Sequence, residues 1–357
     1  MSDHFDAIND SVRATLAASQ APTFVDVPFD SRAWQELDQL GFTTLALSSE
    51  LGGSDGDLRD AAVACRSAAL AAIPMTEANF LAVPVLASAA VPWPGGVVTA
   101  APAPELSLEG EGSSGLLTGR VARVPWLRYA DYLVLILTGD SIPRLAIVAS
   151  TAAGLTVVPG TNIAGEPRDE ALLTRVRPLV VADLPAEWDS TLVAQYGAAG
   201  RASQIAAAAS EALALAARHS SERIQFGRPL VKFQSVQHQL AQLAADAVTL
   251  QTAADAAVIA LRDRSSQTPL LVAAAKVESS VLVRRVAAVA HQLHGAIGFT
   301  TEHRLGACTT RMWSWREEFG NEIVWQHRIA DLVAMNGEDV WALLTDLSLD
   351  IRTGVRA

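Results

Sequence analysis

Apolar residues recur at three-residue steps around Trp34, Leu37 and Leu40, the repeat of one buried helical face. Gly41 supplies a stop for that helix. Residues 50–56, with a glycine pair and an Asp-Gly step, read as a loop. An alanine-rich helix is predicted over 57–73, broken at Pro74, and another over 77–90 that ends near Pro92. From about residue 96 the texture changes. Short apolar runs lie between Gly, Pro and Asp, and they predict strands at 132–137, 145–148, 155–158 and 174–181. After Pro185 the apolar runs return to helical length, at 190–219, 230–264 and 268–293, with a fourth inside 322–346. Helices this apolar bury one another in a four-helix bundle, and apolar residues on more than one side suit an oligomer interface. The pattern predicts an α+β chain with an N-terminal helical domain (1–95), a middle β domain (96–184) and a C-terminal helical bundle domain (185–357).

Composition narrows the function classes. Half of the 357 residues are apolar and 18% are charged, which excludes a disordered chain. The net charge of −11 argues against a nucleic-acid binder, which needs a basic face. Cys65 and Cys308 are too few and too far apart for a disulfide framework, so a reduced, cytoplasmic protein is expected. The first ten residues are polar and acidic and do not read as a signal peptide. The apolar stretches 68–90 and 196–217 are interrupted by polar residues, so no membrane span is expected. His291 and His294 lack a third ligand at metal-binding spacing, and no metal site is expected.

Two motifs carry more specific chemistry. The first is Arg223-Ile224-Gln225-Phe226-Gly227-Arg228-Pro229-Leu230, followed by Phe233-Gln234-Ser235-Val236-Gln237-His238. The second is His294-Gly295-Ala296-Ile297-Gly298-Phe299-Thr300-Thr301-Glu302-His303. Both resemble the signatures of the acyl-CoA dehydrogenase family, as does the pattern from Trp34 to Gly53. The resemblance implies that family's fold, with helical, β and four-helix domains in that order. It also implies an FAD enzyme that oxidises an acyl-CoA thioester to the 2,3-enoyl-CoA. A carboxylate would take the α-proton, the flavin would take the β-hydride, and electrons would pass to an electron-transferring flavoprotein.

The same resemblance assigns residues. Arg223 matches the arginine that meets the dinucleotide's pyrophosphate across a subunit interface, a task suited to a guanidinium. Phe226 matches an aromatic near the adenine half, with ordinary packing equally open, and Gln225 lies within reach of the cofactor. Gln292 and Gly295 match positions that receive the dinucleotide, where a glycine lets backbone approach phosphate or ribose. Asp131 is expected to be structural, and Trp126 to be a packing residue.

The resemblance fails in two places. The family's Thr-Glu-Pro and Gly-Ser-Asp flavin loop has no counterpart at 102–110. The late Tyr-Glu-Gly-Thr base motif is replaced by Trp315-Arg316-Glu317-Glu318-Phe319-Gly320. There an ungapped comparison places Phe319 at the base, with Glu318 one residue away as the candidate. The alternative early base position falls on Gly197, and Asp189 lies too far upstream. In these respects the chain resembles the divergent subunit of heteromeric α2β2 acyl-CoA dehydrogenases, which are associated with steroid-derived CoA thioesters. The expected partners are therefore an acyl-CoA, an electron-transferring flavoprotein, and either further copies of the chain or a second acyl-CoA dehydrogenase subunit. Three readings remain open: an active dehydrogenase, a catalytically silent subunit that completes a partner's flavin site, and an oxidase-like enzyme on the same fold.

Overall fold

The computed structural model describes the chain apart from residues 1, 19–26, 111, 140–141, 302, 338–339, 346–348, 351–354 and 357. Glu302 of the second motif therefore lies outside the described residues. Two compact units divide the chain, Met1–Gly200 and Arg201–Ala357.

The first unit opens with α1 (Ser2–Leu16), α2 (Ser31–Gln39) and α3 (Leu58–Ser67). Asp30 caps α2 by accepting from the Ala33 amide, and Trp34 and Leu37 are buried on its inner face. Gly41 follows with φ 76°, the left-handed stop that the sequence predicts. Asp57 and Asp60 close a reciprocal capping box at the start of α3. That helix ends at Ser67, shorter than the expected 57–73. Next come α4 (Met75–Glu77), a π-helical turn Ala78–Ala82 and α5 (Val83–Ser88), all within one buried segment.

Eight strands follow in two sheets. One has the order β1 (Val98–Pro102), β4 (Tyr132–Leu137), β5 (Arg144–Ala149), β8 (Val180–Asp183); only β1 and β4 run parallel. The other is antiparallel, in the order β2 (Ser107–Glu109), β3 (Leu116–Pro125), β7 (Arg168–Val176), β6 (Leu155–Val158). Leu133, Leu135 and Leu137 of β4 join Leu117, Val121, Ala171 and Leu173 of the other sheet in one core. Val134 and Ile136 point to the opposite face and are equally buried. Burial on both faces explains the unbroken apolar run of β4. The single strand expected at 174–181 is in fact the end of β7 and the start of β8, which belong to different sheets. Pro178, which has no N–H to give a ladder, sits in the crossover.

Asp131 has the expected structural role: its carboxylate accepts from the Val97 amide at 2.8 Å. Trp126 is buried and packs at a tilt against Phe29 and Tyr129. Asp189 caps α6 (Ser190–Glu222) by accepting from the amides of Thr191 and Leu192.

The second unit contains the rest of α6, then α7 (Gln234–Arg262), α8 (Thr268–His294), α9 (Arg304–Glu317) and α10 (Glu322–Met335). α7 alone among the described helices is long and apolar enough to cross a membrane. It packs along α8, with Leu243, Ala247, Leu250, Ala254 and Val258 buried, the spacing of a bundle helix. α9 is a helix that the hydropathy pattern does not announce. It buries Leu305, Cys308, Met312 and Trp315 at steps of three and four, but its arginines and threonines mask the stripe.

Leu135→Ala removes a fully buried side chain between the two sheets. It is expected to cost about 2–5 kcal/mol, read as a lowered denaturation midpoint with an unchanged slope.

Candidate cofactor cleft and buried ion cluster

α8 supplies one wall of a cleft of about 580 Å³. Arg284, Ala287, Ala288, His291, Gln292 and Gly295 line it at steps of one, three and four, a single helical face. Small side chains at Ala287 and Ala288 leave the space. Phe299 and Trp313 complete the walls, and Phe299 stacks on His291 with centroids 4.4 Å apart. Val283, Val286, Ala290 and Leu293 occupy the buried side of α8 and fix its rotation. Gly295 ends the helix at φ 63°, ψ −146°, a conformation all but reserved for glycine, and a Cβ there would meet nothing within 4 Å. Its backbone is thus open to a ligand.

The structure thus brings Gln292 and Gly295 together in one cleft. It places Arg223, Gln225 and Phe226 elsewhere, on a two-stranded hairpin of β9 (Ile224–Gln225) and β10 (Arg228–Pro229). The hairpin tip, Phe226 and Gly227, has φ 52° and 79°. Positive values at both central residues give the tight turn that matches strand twist. They are rare for an aromatic, and the Phe226 ring is 90% exposed. Of the two roles weighed for Phe226, packing in this chain's own core does not apply. Arg223 and Gln225 are exposed beside it.

Glu318 lies apart from both, at the end of α9. It is buried and pairs with the buried Arg201 of α6 at 2.7 Å. Arg201 also donates to Gln204 Oε1 at 2.5 Å. Lys276 of α8, fully buried, donates from Nζ to the carbonyls of Trp315 at 3.0 Å and Arg316 at 2.7 Å. These are the last carbonyls of α9, which a cation suits. Beyond Glu318 the chain turns through Phe319 (φ 58°) and Gly320 (φ 90°), with the Phe319 carbonyl accepting from Trp325 Nε1 at 2.9 Å. Burial pushes the Lys276 ammonium down to about 7, with the nearby Glu318 charge opposing that shift and Arg201 adding to it. Arg201 and Lys276 were not found as site residues from the sequence. The available signal was a charge set among alanines and other small or apolar residues in each of two helical runs.

Comparison with known proteins gives the family. Residues 192–331 match the profile described as acyl-CoA dehydrogenase, C-terminal domain. The acyl-CoA dehydrogenase IpdE2 of Mycobacterium tuberculosis is 30% identical over 293 residues, covering 80% of this chain and 82% of the relative. The chain belongs to the acyl-CoA dehydrogenase family. Family membership ties it to acyl-CoA dehydrogenation in general, on a fold shared with solved structures. A chain of the ChsE4–ChsE5 complex from Mycobacterium tuberculosis superposes with TM-score 0.80 at 20% identity, over 93% of this chain and 97% of that one. The Tcur3481–Tcur3483 steroid ACAD superposes with TM-score 0.78 at 22% identity, over 95% and 99%. Glu318, the candidate base of the sequence analysis, is held here in an interior ion pair with Arg201.

Lys276 is harder to protonate in the folded chain than in the unfolded one. Its burial penalty is therefore full below about pH 7 and fades as pH rises toward 10.5. Relative to Lys276→Met, the wild-type chain is expected to gain stability between pH 7 and 9, by about 1.4 kcal/mol per pH unit at most. Denaturant titrations of both proteins across that range check it; a difference independent of pH contradicts it.

Proposed function

We propose that this chain is one subunit of an FAD-dependent acyl-CoA dehydrogenase that acts on steroid-derived CoA thioesters together with a second, unlike acyl-CoA dehydrogenase chain. One observation carries the reading. The parts suited to a dinucleotide are kept, while Glu318 is turned inward onto Arg201. The cleft at Gln292 and Gly295 has the volume, open backbone and polar groups that a phosphate or ribose segment needs. The exposed hairpin offers Arg223 and Phe226 to a neighbouring subunit, where the guanidinium would bind phosphate oxygens through paired donors. Bound FAD would supply the hydride acceptor. The likeness to a chain of a two-component complex and to a steroid ACAD supports the heteromeric and steroid parts. The domain limits 1–95, 96–184 and 185–357 belong to the same reading, as do an electron-transferring flavoprotein as acceptor and a cytoplasmic location.

A second reading keeps Glu318 as the base. It is favoured by the burial of a carboxylate next to the position where the family has its base. Proton abstraction by Glu318 would require its carboxylate to leave the Arg201 pair and reach the α-carbon. Glu318→Gln separates the two readings. Under the first, the assembled enzyme keeps turnover within a few-fold; under the second, it falls by orders of magnitude with flavin still bound.

The deciding experiment is flavin content and subunit mass of the chain purified alone and after co-expression with an acyl-CoA dehydrogenase encoded beside it. Flavin only on co-expression, at one per unlike pair, is the expected result. One flavin per subunit in the lone chain contradicts the heteromeric reading. Arg223→Ala is expected to strip flavin from the assembly, at about 2–4 kcal/mol of binding; undiminished flavin content removes Arg223 from the site.

A further inference from the structure

We propose that three histidines beside the buried His294, namely His219, His291 and His303, make cofactor retention at the Gln292–Gly295 turn proton-linked: the turn holds the dinucleotide while these three rings are neutral and releases it when they charge. This rests on the flavin reading above and adds a control that the reading does not contain.

His294 ends α8 and is 95% buried by its 5% exposure. Its Nδ1 donates to the Ala290 carbonyl at 2.7 Å, which leaves a buried Nε2 with no hydrogen-bond partner among the described residues. His219 of α6 stacks on this ring at 4.9 Å, and His303 meets it edge-on at 4.7 Å. His303 also caps α9, accepting at Nδ1 from the Leu305 amide at 3.1 Å. One turn before His294, His291 lines the cleft; its Nε2 lies 3.0 Å from the Thr309 hydroxyl, and its Nδ1 is buried and unpartnered. Gly298 sits close against both residues, since a Cβ there would stand 2.9 Å from His294 Cβ and 3.3 Å from His291 Nδ1, and Phe299 of the same turn stacks on the His291 ring. The turn that carries Gly295 is therefore seated on imidazoles.

Such a seat suits neutral rings. Burial holds His219, His291 and His303 below the usual histidine value, and the neighbouring His294 pushes all three the same way. The other charges facing the cluster are mixed. On α6, Arg223 opposes protonation of His219 and Glu222 favours it, while Arg218 opposes protonation of His303. Glu211 of α6 is 3.6 Å from Arg304 of α9; Cys308 and Arg311 lie further along α9, with the Cys308 thiol pushed up to about 12. Glu302 lies outside the described residues. A ring with a depressed folded-state pKa stabilises the turn fully above about 6.5, and that stability is lost as pH falls toward the lower folded values. The sign is diagnostic. If the rings acted only as charges on the dinucleotide's phosphates, acid would tighten binding; here acid weakens it.

The test is the FAD dissociation constant of the protein, alone or in whichever assembly retains flavin, by flavin fluorescence between roughly pH 8 and 5.5. The expected result is affinity at least about tenfold weaker at the acid end. Amide-exchange protection of 291–303 in the flavin-free protein should fall over the same range. His303→Asn keeps an acceptor for the Leu305 amide and cannot titrate in this range, and it should reduce the slope of both curves. Should it fail to fold, His219→Phe keeps the stacked ring at a partly buried position and should reduce the slope. Flavin bound equally well or better at low pH overturns the proton link and leaves the flavin reading intact. No flavin at any pH, in any assembly, overturns the flavin reading and the link with it.

Discussion

The second unit depends on a buried arrangement of charge. Arg201 from α6, Lys276 from α8 and Glu318 at the end of α9 meet where water is excluded, and each binds a group that would otherwise be left unpaired. Desolvating such groups is expensive, and removing one partner strands the others. The cluster therefore fixes where α9 ends and how the chain turns through Phe319 and Gly320 into α10. It also fixes α8 against its neighbours, and α8 carries the cleft residues from Arg284, about two turns further on, to its end. The buried charge and the cleft are held by one rigid element.

In the proposed function this arrangement separates cofactor binding from proton abstraction. The Glu318 carboxylate, the candidate base, has the geometry of a counter-ion to Arg201. The hairpin tip and the cleft are the opposite case: both are exposed, and neither has a use within this chain's own core. Phe226, an aromatic held at positive φ and 90% exposed, is conformational strain stored on a surface, which is where a contact with another molecule would repay it. Gly295 sits at the cleft with open space where a side chain would be.

Much of this was legible in the sequence. The amphipathic step of Trp34 and Leu37, the unbroken apolar run of β4 and the lengths of α6, α7 and α8 follow from local periodicity, because burial of one face or two selects those patterns directly. The two motifs carried the family, and with it the cofactor candidates Arg223, Gln292 and Gly295. Less was legible where polar residues are buried. β7 begins with Arg168 and Asp169, both buried through ion pairs with Glu166 and Arg128, so its start does not look like a strand. α9 hides its stripe among arginines and threonines.

The sequence by itself determined the order of most helices and strands and the family, since each depends on local pattern or on a contiguous motif, and it named Arg223, Gln292 and Gly295 as candidates for a dinucleotide. Only the tertiary structure decided that Glu318 faces Arg201, that Lys276 closes α9, that the cofactor candidates divide between a cleft and a hairpin, and that four histidines from α6, α8 and the segment before α9 share one seat. The physical reason is that pairing of buried charges and stacking of rings join residues up to 117 positions apart. No periodicity records such contacts, because each requires the whole bundle to be closed before its partners meet.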